Sequence, residues 1–130
     1  MPFYPASGKA TLLNANGQVL LFNADRPGAG SPNKASIAVL LARGQQSQAG
    51  FPFHFAVELS FSGSPGTFEV DIQGSETDTD ASYCLLGTAI TTVNSSNYAR
   101  FEGVNLYPRF VRAFVKTLGN DVNVTAIATR

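Results

Sequence analysis

Between Phe51 and Phe61 every odd position carries a large apolar side chain (Phe51, Phe53, Phe55, Val57, Leu59, Phe61), and the even positions are Pro52, His54, Ala56, Glu58 and Ser60. Side chains in a strand alternate between faces, so this run predicts a β-strand with one deeply buried face and one plain face. Phe68, Val70 and Ile72 alternate in the same way with Glu69, Asp71 and Gln73. Val111, Ala113 and Val115 alternate with Arg112, Phe114 and Lys116, and Val122, Val124, Ala126 and Ala128 repeat the period at the end.

Turn signals cut the chain at short intervals: Asn14-Ala15-Asn16-Gly17, Arg26 to Asn33, Gly63-Ser64-Pro65-Gly66, Gly74-Ser75 and Leu118-Gly119-Asn120-Asp121. Strands are predicted near Ala10 to Leu13, Gln18 to Asn23, Ser36 to Ala42, Phe53 to Ser62, Thr67 to Gln73, Ser82 to Leu86, Ala89 to Val93, Arg100 to Gly103, Arg109 to Thr117 and Val122 to Thr129. No segment carries a helical stripe longer than about ten residues. The expected fold is all-β: an antiparallel two-sheet sandwich, jelly-roll-like, of about eight to ten short strands.

The tight Gly63 to Gly66 connection predicts that the Phe-rich strand and the Phe68 strand pair as a central hairpin, and Gly119-Asn120 predicts a second, closing hairpin. Two segments read as loops: Arg26 to Lys34, without core contacts of its own, and the polar run Gly44 to Gly50. Residues 1–7, with Phe3, Tyr4 and two prolines, read as an extended arm, and 8–130 as a single domain.

Composition narrows the function. The 130 residues suffice for one core without metals or disulfides. Charged residues make up 14%, below the roughly 25% usual for soluble domains, and nine basic groups cancel nine acidic ones. A neutral balance argues against nucleic acid, and a weakly charged surface argues for one covered in the working state. No apolar stretch reaches the length of a membrane span and no signal peptide opens the chain, so neither a membrane nor a secretory route is expected, and the Asn94-Ser95-Ser96 and Asn123-Val124-Thr125 glycan patterns carry no weight.

Candidate chemistry is sparse. Glu76, Asp78 and Asp80 offer oxygens to a hard cation but lack the glycine and terminal glutamate of a calcium loop, and read as a solvated turn. The single histidine, His54, would need a carboxylate such as Glu58 to converge on it before it could act as a general base. Cys84 has no cationic neighbours in sequence and reads as a small buried hydrophobe. The late basic residues Arg100, Arg109, Arg112 and Lys116 and the earlier acids Glu69 to Asp80 predict pairing within the domain or across a contact. No catalytic residue, cofactor or metal is expected.

From Thr67 onward, Phe68-Glu69-Val70-Asp71-Ile72-Gln73-Gly74-Ser75, then Ser82-Tyr83-Cys84-Leu85-Leu86-Gly87-Thr88, then Tyr107-Pro108-Arg109-Phe110-Val111-Arg112 resemble small β-sandwich modules of tailed-phage virions. In those modules a Gly-Ser strand, an aromatic followed by Leu-Gly, and a Tyr/Phe-Val-Arg strand recur. Here Thr77-Asp78-Thr79-Asp80 replaces their Asp-Gly turn, and Tyr83 replaces a tryptophan. The resemblance implies a capsid cement or decoration protein, located on the virion surface, with the major capsid protein and copies of itself as partners. The expected contact residues are Phe3 and Tyr4 in the arm, Arg26, the loop glutamines Gln45, Gln46 and Gln48, and Arg109 and Arg112. The competing expectation is a carbohydrate- or receptor-binding module of a phage tail, with Tyr98, Tyr107 and Asn97 as its platform.

Overall fold

The computed structural model describes residues 11–12, 17–40, 54–104, 106 and 108–129. Among these, ten strands follow one another: β1 (Thr11–Leu12), β2 (Gln18–Asp25), β3 (Lys34–Ala35), β4 (Val39–Leu40), β5 (His54–Phe61), β6 (Phe68–Ser75), β7 (Cys84–Leu85), β8 (Tyr98–Val104), β9 (Phe110–Leu118) and β10 (Val124–Thr129). A 3-10 turn, Asp80–Ser82, precedes β7.

The strands form two sheets. One runs β2-β10-β5-β8; the other runs β1-β4-β9-β6-β7, with β3 also on β9. Every pair is antiparallel except β1 with β4. Leaving out β1 and β3, the chain order within the sheets is first-eighth-third-sixth and second-seventh-fourth-fifth, the jelly-roll order.

The strands pair differently from the two predicted hairpins. β5 pairs with β10 and β8, whereas β6 pairs with β9 and β7, so the Gly63 to Gly66 connection arches between sheets. The Gly119 to Asn123 connection does the same for β9 and β10. A hairpin would have put the apolar faces of β5 and β6 on one side of one sheet. As an arch, the connection sets Phe61 against Phe68 across the core, ring centroids 5.1 Å apart and edge-on. The two arches also tie each other: Asn120 N–H donates to Pro65 O at 3.1 Å and Ser62 N–H to Asn123 O at 3.0 Å.

The core collects the odd face of β5 (Phe55, Val57, Leu59, Phe61) with Val70, Ile72, Val111, Val115, Leu118, Val124 and the alanines of β10. Phe22, Phe55, Leu59 and Ile72 are fully enclosed, and each such side chain contributes roughly 1.5–3 kcal/mol of burial. A second, smaller cluster of Ala38, Leu40 and Phe110, with Tyr83 against it, lies on the outer side of the β4-β9-β6 sheet. The outer side of that sheet thus carries an apolar patch at its β4 end beside the polar positions of β6 and β9.

Other expectations shift locally. Ser82 to Leu86 contracts to β7, because Ser82 Oγ is knotted into the preceding turn, within 3.1 Å of the hydroxyls of Ser75, Thr77 and Thr79 and of two carbonyls. Ala89 to Val93 is not a strand; Ile90 makes one bridge to Val70, and the chain then crosses to the other sheet. The Arg26 to Lys34 loop is not free of the core, since Gly30 exchanges both backbone hydrogen bonds with Leu118. Cys84 is exposed rather than buried.

Candidate functional site

The outward face of the β2-β10-β5-β8 sheet can be built directly from its register. Leu20, Ile127, Glu58 and Arg100 make one row across the four strands. Gln18, Thr129, Ala56 and Glu102 make the next, Thr125, Ser60 and Tyr98 a third, and His54 stands opposite Val104 at one end. Leu20 is 46% exposed and Val104 54%. His54 and Ser60 are exposed, Glu58 is half-buried and Ala56 is buried between its neighbours. Apart from His54, the titratable charge of these rows sits in one cluster at the β8 side. Arg100 Nη2 and Nε donate to Glu102 Oε2 at 3.0 and 3.1 Å, and Nη1 donates to Glu58 Oε2. Hydrogen bonding to Glu102 is the main reason the guanidinium holds its proton even more firmly than usual. Besides His54, the rest of these rows is uncharged: Leu20, Ile127, Gln18, Thr129, Ala56, Thr125, Ser60, Tyr98 and Val104.

β8 is the edge of this sheet, and its flank opens into a groove of about 630 Å³. The wall opposite β8 is the segment from Gly87 to Asn94 that crosses between sheets. A two-residue turn, with Ser96 (φ 40°) and Asn97 (φ 64°) both left-handed, brings Asn94 back beside β8. Asn94 Oδ1 there accepts from Arg100 N–H at 3.1 Å.

The other sheet's outer side is occupied by internal contacts. Arg112, with its side chain only 9% exposed, stacks 4.1 Å over the Tyr83 ring and lies 5.7 Å from Phe114. Its Nε donates to Gln73 Oε1 and its Nη1 to Asp80 Oδ1, both at 2.8 Å. Tyr83 donates its hydroxyl to Asp78 Oδ1 at 2.7 Å; burial first, then that bond, push the phenol above its ordinary range. Beside this cluster, Asp71 has an enclosed Oδ1 with no hydrogen-bond partner. Burial, followed by the neighbouring Glu69 carboxylate, raises its pKa to about 6, against a smaller opposing pull from Lys116.

No protein-family model and no curated protein matches this chain.

The expected contact residues fall in three groups. Phe3, Tyr4, Gln45, Gln46 and Gln48 lie outside the described residues, as does Tyr107. Arg26 and Arg109 are exposed: Arg26 Nη1 and Nε are held by Asp121 at 3.1 Å and Asn123 at 2.9 Å, and Arg109 lies 5.5 Å over the Phe110 ring. Arg112, on the outer side of β9, is covered by Tyr83 and held by Gln73 and Asp80. Asn97 and Tyr98 sit at the turn that ends the flank groove.

The acidic turn does not gather into a cation site. Asp78 is bonded by Tyr83 and Asp80 by Arg112, and no group of three or more His, Cys, Asp or Glu converges among the described residues. His54 and Glu58 share a strand face four residues apart, roughly 13 Å at the usual rise, and Glu58 is engaged by Arg100. Sequence reasoning missed the groove and the capping role of Asn94. The paired polar residues Asn94 to Asn97 before a strand were the available signal for a left-handed turn.

Proposed function

We propose that this chain is a non-enzymatic structural protein of a phage virion, a decoration protein that binds the outside of the capsid and stabilises contacts between coat subunits. The observation that supports this reading is the outer face of the β2-β10-β5-β8 sheet, which is broad, weakly charged and free of a covering layer among the described residues. Stable interfaces bury about 1,600 Å² in total, and a four-stranded face with flanking loops is of the size that supplies one partner's half. Leu20, Ile127 and Val104 are its apolar anchors, and the partners are the major capsid protein and neighbouring copies of this chain.

Co-sedimentation with assembled capsids tests it. The native chain is expected to pellet with capsids and not with dissociated coat protein, and Leu20→Lys combined with Ile127→Lys to lose that co-sedimentation while unfolding at an unchanged temperature. Equal attachment of the double variant would remove this face from the reading.

The second reading, a carbohydrate- or receptor-binding module of a phage tail, draws on the flank groove, where Thr91, Thr92, Asn94, Arg100 and Glu102 present alternating donors and acceptors near Tyr98. Glycan-array binding by the isolated domain, with no attachment to capsids, would favour it.

A further inference from the structure

The main chain of β8 turns alternate residues toward β5 and away from it. Phe61 N–H, on the β8 side of β5, donates to Asn97 O at 2.9 Å, which fixes the odd positions of β8 as those facing β5. Tyr98, Arg100, Glu102 and Val104 therefore aim their N–H and C=O groups outward. At the start of the strand these are taken up internally: Tyr98 N–H donates to Ser95 O at 2.8 Å, Tyr98 O accepts from Asn94 N–H at 2.6 Å, and Arg100 N–H donates to Asn94 Oδ1. Past Asn94 the segment from Gly87 draws away, and at Glu102 and Val104 the edge faces the groove.

We infer that this edge accepts an extended polypeptide segment of a partner protein, which adds to the sheet as a further strand beside β8. Three features define the occupant. Outward groups at every second residue match the spacing of a paired strand, a regularity that a sugar does not reproduce. The groove floor is apolar, with Phe101, Ile90 and Leu106 packed on the core, so alternate residues of the incoming strand are apolar. On the outer side, among the described residues, Glu58 and Glu102 share one cation, Arg100, leaving one negative charge in surplus, so a Lys or Arg belongs on the strand's other face above Glu102. Asn94 marks where the added strand must stop, because its side chain already fills the position opposite Arg100. This inference does not depend on the capsid reading; it holds or fails on the edge itself.

A displayed library of linear ten-residue peptides panned against the full chain tests it. Enriched peptides are expected to alternate apolar residues with a basic residue, and one such synthetic peptide to slow amide exchange at Glu102 and Val104 at least tenfold. Val104→Pro removes an outward N–H that has no hydrogen-bond partner among the described residues, and is expected to weaken that peptide at least tenfold. Should Val104→Pro fail to fold, Glu102→Lys serves, and is expected to shift the selected residue from basic to acidic. The inference is overturned by failure to enrich, by enriched peptides that leave exchange at Glu102 and Val104 unchanged, or by a glycan that protects the groove where no peptide does.

Discussion

Gly103 stands directly opposite Phe55 in the β5/β8 pair, and a Cβ placed on it would collide with Phe55 Cε1. The ring occupies the space that a side chain at 103 would need, and leans on Phe101 two residues earlier at 5.9 Å. A glycine inside a strand weakens it unless something packs there, and here an aromatic does.

Gly103→Ala is therefore expected to destabilise the domain by about 1–3 kcal/mol, through overpacking of a core that has no slack at this point. Phe55→Ala is expected to cost about 3–5 kcal/mol by leaving a cavity. If the contact is as described, the double variant costs less than the sum of the two, since the methyl group enters space the ring has left; urea unfolding of all four chains measures this coupling.

Asp71 sets a pH dependence of opposite sign to that of a salt-bridged carboxylate. The unfolded chain releases this proton near 3.8, whereas the folded chain keeps it to about 6, so between those values the folded state binds more protons. Stability accordingly falls as pH rises through that window, and the penalty is complete above it. Asp71→Asn is expected to flatten this slope and to stabilise the domain at pH 7 by on the order of 2 kcal/mol, with little effect near pH 3.5. Thermal melts of both proteins from pH 3.5 to 8 check it.

Arg112 joins stacking and hydrogen bonding that lysine cannot reproduce together. Arg112→Lys is expected to cost about 1–3 kcal/mol by leaving Gln73 and Asp80 without their directed donors and Tyr83 without its flat partner. Tyr83→Phe, which removes the hydroxyl from Asp78 but keeps the ring under Arg112, is expected to cost less. Denaturant midpoints of the two variants decide the order.

Deleting Met1 to Ser7 is expected to weaken attachment to capsids severalfold and to leave unfolding of the remaining chain unchanged. Sedimentation titrations against assembled capsids read the first effect and calorimetry the second.

The strands were legible in the sequence wherever one face is buried. The alternation in β5, β6, β9 and β10 is written in Phe, Val, Ile and Ala at every second position, and their bounds lie within a few residues of expectation. Their pairing was not. Alternation reports that a strand has an inner face but not which layer it belongs to, and a Gly-Ser-Pro-Gly connection serves a hairpin and an arch equally well. Short elements such as β3 and β7 have no period to read; they exist because Lys34-Ala35 and Cys84-Leu85 meet ladders offered by longer neighbours. Of the expected contact residues, Arg112 shows why charge in a strand is ambiguous: on an outward-facing position it is nonetheless roofed by Tyr83.

The place of β10 has a kinetic meaning. The last strand in chain order is an inner strand of its sheet, holding β2 on one side and β5 on the other. Until Val124 to Thr129 arrives, β2 and β5 have no common neighbour, and Phe22, Leu59 and the rest of that layer have no complete wall to pack against. Only one local pair can assemble ahead of it, since among the eight jelly-roll strands only β6 and β7 pair with their immediate successor or predecessor. Refolding should accordingly be slow for a chain of this size, in the millisecond-to-second range of strand-rich, long-range topologies, with β10 docking and core closure occurring as one event.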